Sequence, residues 1–376
     1  VTDPAGYVLV AADKFKGSLT ATEVVGAVAA GIRSVTPGAD FRLLPVADGG
    51  EGTVAAAVAA GFARVDVPAR GPTGRPLTAS FALRGETAVV ELAEASGLHR
   101  LPDGVPAPLA ADTAGTGDLI AAAMRAGARR VVLGVGGSAS TDGGAGMLGA
   151  LGARLRDRHG APLAPGGAAL RDLGSVDLST LDPALAGVTF ELACDVDNPL
   201  LGPQGAAAVY GPQKGARPAA VRILEEGLAR WASMVGPSFA ALPGAGAAGG
   251  TGFAALAVLG ATMRPGIALL GSLLGLDEAV PGARLVITGE GSLDEQTLRG
   301  KAPAGIAALA RAASVPVVAV AGRCLLDPAQ LRSAGFDAVY PLTELEPDPA
   351  RCITEASALL TRVAARLAEE WLVAVA

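Results

Sequence analysis

Short apolar runs alternate along this chain with longer amphipathic stretches, and no other feature limits the fold so strongly. A strand followed by a helix before the next strand has to cross over to lie parallel to it. Repeated alternation therefore predicts an α/β protein built on mainly parallel sheets. Tyr7–Ala12 reads as the first strand and residues from about Ala21 to Val35 as a helix, opened by Thr20 and Glu23 at capping-box spacing. Further strands are expected at residues 41–46, 131–134, 189–194, 285–288, 315–320 and 338–340. From Arg64 to Glu91 the pattern changes to short β-prone pieces between Pro68, Gly71, Pro72, Gly74, Pro76 and Gly85, which read as hairpins. The regular alternation returns at about Arg284. Two α/β domains are therefore expected: a discontinuous, Rossmann-like one from both chain ends (1–66 and 284–376) and an inserted one (67–283).

A chain of 376 residues exceeds the usual reach of one core. Its residues are 51% hydrophobic but only 3% aromatic, with 52 glycines, so its cores must be built from Ala, Val and Leu at close backbone spacing. A formal charge of −6 with dispersed arginines argues against a nucleic-acid-binding face. Cys194, Cys324 and Cys352 are widely spaced with no CxxC pair, which fits neither a disulfide framework nor a zinc site. No basic and apolar leader opens the sequence, and no uninterrupted apolar run reaches the roughly 18 residues of a membrane span. A cytoplasmic protein without membrane partners is expected, and a homo-oligomer is left open.

Charge and glycine are placed unevenly. Beside 26 arginines stand only four lysines, Lys14, Lys16, Lys214 and Lys301, each within three residues of a glycine. A lysine offers a compact, flexible point charge where an arginine offers a planar fork, and phosphate chemistry is one use for it. The segment 134–147, GVGGSASTDGGAGM, puts six glycines, two serines and a threonine between a strand and a helix, where backbone N–H groups and a helix terminus can receive an anion. Its Asp-Gly-Gly-x-Gly echoes DGGEGT at 48–53, and both can equally be capped helix starts. Glycine-threonine loops at 111–120 and 244–256 are weaker signals, the latter equally readable as a flexible linker. Carboxylates gather after strands: Asp13, Asp48, Glu51, Asp195, Asp197, Glu290 and Asp294. In open α/β sheets ligands bind beyond the carboxyl ends of strands, so these acids are candidates for metal binding and proton transfer.

Several chemistries are disfavoured. No Walker loop is present, because Glu295 stands where its first glycine would precede Gly300 and Lys301, and no protein-kinase signature occurs. GGSAS at 136–140 misses the nucleophile elbow at Ser140, while His99 and His159 lie in polar, exposed contexts unsuited to catalysis. Gly134, Gly136 and Ala139 formally satisfy a dinucleotide fingerprint, yet no helix opens there and no strand-ending acid follows at the required distance. A non-catalytic binding protein for phosphorylated acids could use the same loops, but its clustered carboxylates would repel the ligand.

Taken in order, AADKFKGSLTATEV, PVADGGEGT, GVGGSASTDGGAGM, LACDVDNPL, GPQKGA, PGAGAAGGTG and VITGEGSLDEQTLRGK resemble the glycerate kinase family of the bacterial GarK/GlxK type over essentially the whole chain. The resemblance implies ATP-dependent phosphorylation of D-glycerate at the 2-hydroxyl, with Mg2+, on two α/β domains flanking a cleft. In that setting Asp195 is assigned as the catalytic base and Lys14 as a catalytic cation. Lys16, Ser18, Asp48 and Glu51 are expected to bind substrate. Gly136, Gly137, Ser138, Ser140, Thr141, Asp142, Gly143, Lys214 and Lys301 are expected at the nucleotide phosphates, and Asp48 and Glu290 at the metal. The roles can be exchanged among the acids and among the lysines without contradicting the sequence. Two departures stand out: Ser292, where many relatives carry Arg in a GEGR version of the motif, and Lys16-Gly17, where some have Lys-Glu.

Overall fold

The computed structural model describes residues 6–373, and those residues form thirteen strands. In chain order they are β1 Tyr7–Ala12, β2 Phe41–Pro45, β3 Ala63–Arg70, β4 Pro76–Arg84, β5 Thr87–Glu91, β6 Arg130–Gly134, β7 Arg154–Asp157, β8 Leu173–Asp177, β9 Thr189–Ala193, β10 Thr262–Arg264, β11 Ala283–Leu293, β12 Val317–Cys324 and β13 Ala338–Pro341. The chain divides into two compact units. One holds the residues up to Asp48, Ala55–Ala60 and those from Pro265 onward; the other holds Gly49–Val54 and Gly61–Arg264. The expected boundaries at 66 and 284 are displaced for identifiable reasons. Strand β3 pairs with β4 along its whole length, from Ala63↔Leu83 to Arg70↔Pro76, which ties residues 63–66 to the second unit's sheet. The helices Gly266–Leu274 and Leu276–Ala279 lead into β11 and go with the first unit.

The first unit is a five-stranded sheet in the order β13-β12-β11-β1-β2, parallel throughout. Numbered within the unit this is 2-1-3-4-5, the flavodoxin-like doubly wound order rather than the 3-2-1-4-5-6 of the Rossmann fold proper. Val8, Leu9, Val10, Ala11 and Ala12 are each 0% exposed, so β1 is an unbroken apolar run as a central parallel strand requires. On one face Val8, Val10 and Ala12 pack with Val24, Val28 and Ile32 of the helix Ala21–Val35 and with Leu360, Val363 and Leu367 of the helix Ala356–Trp371. The two helices cross closely at Gly31, where a Cβ would stand 2.2 Å from the Thr361 carbonyl oxygen. The capping box forms as its spacing predicts: Glu23 N donates to Thr20 Oγ1 at 3.3 Å and Thr20 N to Glu23 Oε2 at 2.8 Å.

The second unit is a mixed six-stranded sheet, β10-β9-β6-β5-β4-β3, in which β10, β9, β6 and β5 run parallel and β5, β4 and β3 form the expected antiparallel hairpins. Gly85, with φ +57°, opens the two-residue turn between β4 and β5. Trp231, fully buried on the helix Pro218–Val235, anchors this unit's core and donates its indole N–H to the Gly143 carbonyl at 2.9 Å.

Candidate active site

In the first unit the chain leaves β1 toward β2 and leaves β11 toward β12, in opposite directions across the sheet. The crevice beyond the carboxyl ends of β1 and β11 is thus the topological switch point, where an open α/β sheet binds its ligand. Asp13 follows β1 directly, and its N–H donates to the Gly289 carbonyl at 2.9 Å, locking it to β11. Its Oδ1 accepts the Lys14 N–H at 2.7 Å and lies 3.5 Å from Lys14 Nζ. Glu290, one residue past Gly289, accepts a short hydrogen bond from the Thr297 hydroxyl. Burial raises the Asp13 carboxyl to about 6, with the Asp48 charge adding to the rise and Lys14 opposing it. Burial likewise raises Glu290 to about 7 against the pull of Thr297 and Lys301, while Asp13 and Asp48 push it further up. Three carboxylates and two lysines therefore share one electrostatic neighbourhood at the end of this sheet.

Lys301 is half-buried at the start of the helix Ala302–Ala312. Lys16 is exposed, beside Gly17 at φ +83°, and the Ser18 hydroxyl closes that turn by donating to the Phe15 carbonyl at 3.1 Å. Carboxylates gathered at a strand end have the chemistry of a divalent-cation site, because a cation offsets the burial and mutual repulsion that raise Asp13 and Glu290. Asp48 and Glu290 remain the residues that would hold it. Among the described residues, however, no three His, Cys, Asp or Glu side chains are gathered closely enough to coordinate a metal ion.

The second unit explains the glycine motifs differently from a simple phosphate nest. Residues 49–54 cross the carboxyl ends of β6 and β9, and Gly136 N donates to the Gly49 carbonyl at 2.9 Å. A Cβ on Gly49 would stand 2.8 Å from the Ala193 oxygen, one on Gly134 2.7 Å from the Gly49 oxygen, and one on Gly136 2.5 Å from Gly50 Cα. Gly49, Gly134 and Gly136 are therefore required by backbone meeting backbone. The helix Thr53–Ala59 is capped by buried Glu91, which accepts from Gly52 N at 3.2 Å and Val54 N at 3.0 Å.

The far half of the glycine loop is interior. Ser140, Thr141, Asp142 and Gly143, expected at the nucleotide phosphates, are all buried. Asp142 instead accepts from Thr113 N at 3.0 Å, Thr113 Oγ1 at 2.8 Å, Gly146 N at 3.0 Å and Gly144 N at 3.3 Å, despite a burial that raises its pKa. Gly143 lies against Trp231, and Gly249 presses on the Ser140 carbonyl, which makes 244–256 an internal brace and not a linker. Lys214, expected at the same phosphates, is buried as well. It is 2% exposed, donates to Ser138 Oγ at 2.7 Å and to the Ser140 carbonyl at 2.5 Å, and burial lowers its pKa to about 7. It holds the loop in shape.

Gly136 and Gly137 remain partly accessible, with Ser138 just beneath the surface. Glu51 approaches Gly137, and His99 Nδ1 lies 3.6 Å from Glu51 Oε1. This places His99, dismissed from its sequence context, next to a predicted substrate residue, and only the fold brings the two together. Asp195 stands half-buried just past β9. The neighbouring Cys194 thiol is pushed up to about 11, by burial first and then by Asp195 and Asp197, which leaves it an inert sulfhydryl.

Comparison with known proteins sets these clusters in a family. The model of the glycerate kinase family matches residues 8–372. The chain belongs to the glycerate kinase family. It is 47% identical over 342 residues to a glycerate kinase of Bacillus subtilis (strain 168), covering 89% of this chain and 90% of that protein. It is 42% identical over 340 residues to a glycerate 2-kinase of Escherichia coli (strain K12), 89% of each. A crystal structure described as glycerate kinase 2 from Salmonella typhimurium LT2 superposes with a TM-score of 0.82 at 42% identity, over 97% of this chain and 98% of that one. The chain is accordingly an enzyme of this kinase family, a transferase, with the α/β fold that the element alternation predicts.

Proposed function

We propose that this enzyme transfers the γ-phosphoryl group of ATP to the 2-hydroxyl of D-glycerate, giving 2-phosphoglycerate and ADP, with Mg2+ as the metal. The observation that carries the reading is the cluster of Asp13, Lys14, Asp48, Glu290 and Lys301 at the switch point of the parallel sheet, in a chain related over most of its length to proteins named glycerate kinases. Phosphoryl transfer needs positioning and charge neutralisation more than covalent chemistry, and this cluster offers both signs of charge within a few residues. Asp195 accepts the proton of the attacking hydroxyl as the oxygen bonds to phosphorus and the bond to the ADP leaving group breaks. Lys14 and Lys301 meet the charge of the transferring group. Lys16, Ser18 and Glu51 orient the acceptor acid. Gly136, Gly137 and Ser138 offer N–H and hydroxyl donors to nucleotide phosphate, with Lys214 holding their backbone from below. Mg2+ held by Asp48 and Glu290 would neutralise phosphate charge. We assign the enzyme to the cytoplasm, in keeping with three free cysteines and with the lack, among the described residues, of any helix long and apolar enough to cross a membrane.

Incubation with ATP, Mg2+ and D-glycerate tests the reading. ADP forms only when all three are present, and Lys14→Met removes the turnover while leaving the thermal midpoint nearly unchanged. ADP release independent of D-glycerate, or full activity of the Lys14→Met protein, would contradict it.

A further inference from the structure

We infer that Arg323 is a substrate-anion clamp of this enzyme. It lies on β12, and the parallel register pairs Ser292 with Arg323. Side chains alternate between faces along a strand, so Glu290 and Ser292 share one face of β11. The registered partner Arg323 shares that face with them. Its Nε donates to Ser292 Oγ at 3.1 Å, and the side chain is otherwise exposed. Among the described residues no carboxylate pairs with this guanidinium, whereas Arg64, Arg70, Arg100 and Arg130 are each committed to one. The hydroxyl thus fixes the direction of the arginine and leaves its two terminal nitrogens for a ligand.

The surroundings supply the rest of the site. Gly291 stands between Glu290 and Ser292. A Cβ there would lie 3.1 Å from Lys16 N, and one on Gly322 would lie 2.4 Å from the Gly291 oxygen. Two glycines therefore let the Lys16 turn and the end of β12 close on the end of β11 from its two sides. A flexible ammonium and a planar fork flank the switch point, beside the carboxylates of Asp13 and Glu290. The fork fits two oxygens of one oxyanion. In the reaction proposed above, on which this inference rests, that oxyanion is the carboxylate of the acceptor acid or the terminal phosphate of the nucleotide.

The test compares Arg323→Met, Arg323→Lys and Ser292→Ala with the wild type. Arg323→Met is expected to raise one KM by about tenfold or more, the loss of a charge-assisted contact. A rise for D-glycerate alone assigns the carboxylate, and a rise for ATP alone assigns the phosphate. Arg323→Lys recovers part of the loss, Ser292→Ala shows a smaller one, and thermal midpoints stay unchanged because the side chain is exposed. Unchanged KM values for both substrates, or a lysine variant equal to wild type, would overturn the clamp. Titration of inorganic phosphate, followed by phosphorus line width, reads anion binding without turnover. Loss of binding in Arg323→Met supports the clamp, and equal binding counts against it. A wild-type protein that binds phosphate but makes no ADP from D-glycerate would refute the kinase reading alone.

Discussion

Glu290 concentrates the physical tension of the site in one side chain. It binds its proton more tightly in the folded chain, at about 7, than its ordinary 4.5. The sign follows directly: this group favours folding fully below about pH 4.5, and that contribution is lost as pH rises through about 7. Glu290→Gln should therefore unfold at a higher temperature than wild type at pH 8, by about 2–4 °C for each kcal/mol relieved. The two should converge near pH 5, as followed by calorimetry. Magnesium should raise the wild-type midpoint at pH 8 and leave that of Glu290→Gln unmoved. Equal midpoints at both pH values would show that the carboxylate is solvated. At this scale the sequence is a good guide to which acids follow strands in the first unit. It is a poor guide to Asp142 and Lys214, because nothing local to DGG or QKG reveals that a residue far along the chain will bury it.

Among the elements, glycine has two distinct jobs that one composition conceals. Gly17 has φ +83° and nothing within 4 Å of where a Cβ would stand, so Gly17→Ala should cost only about 1 kcal/mol of backbone strain. Gly49 has φ +97° and the Ala193 oxygen 2.8 Å from that position, so Gly49→Ala adds a steric cost of about 1–3 kcal/mol. Urea unfolding monitored by circular dichroism should rank the two in that order, and the reverse order would deny the close backbone crossing. The strands legible in the sequence, β1, β2, β6, β9, β11, β12 and β13, are those with apolar runs. Those that escape it carry no such run. Strand β7 is the polar RLRD, and β10 is three residues whose pairing with β9 alone makes them a strand. The first sheet's 2-1-3-4-5 order is equally hidden, since alternation specifies parallel strands without saying on which side each new one adds.

For the whole molecule, the residues assigned to the proposed chemistry divide between two compact units. The acids and lysines around Glu290 belong to one, and Asp195 with the Gly136–Ser138 donors belongs to the other. Asp195→Asn should retain nucleotide binding by calorimetry while losing about 10²–10⁴ in turnover, the usual worth of a general base. A variant with unimpaired turnover would move that role to another acid. The central claim is the identity of the transferred bond, and phosphorus NMR of a single incubation with ATP, Mg2+ and D-glycerate tests it most directly. Loss of the ATP γ-phosphate resonance and growth of 2-phosphoglycerate with ADP is the expected result. A 3-phosphoglycerate signal, or free phosphate with no phosphorylated acid, would contradict it.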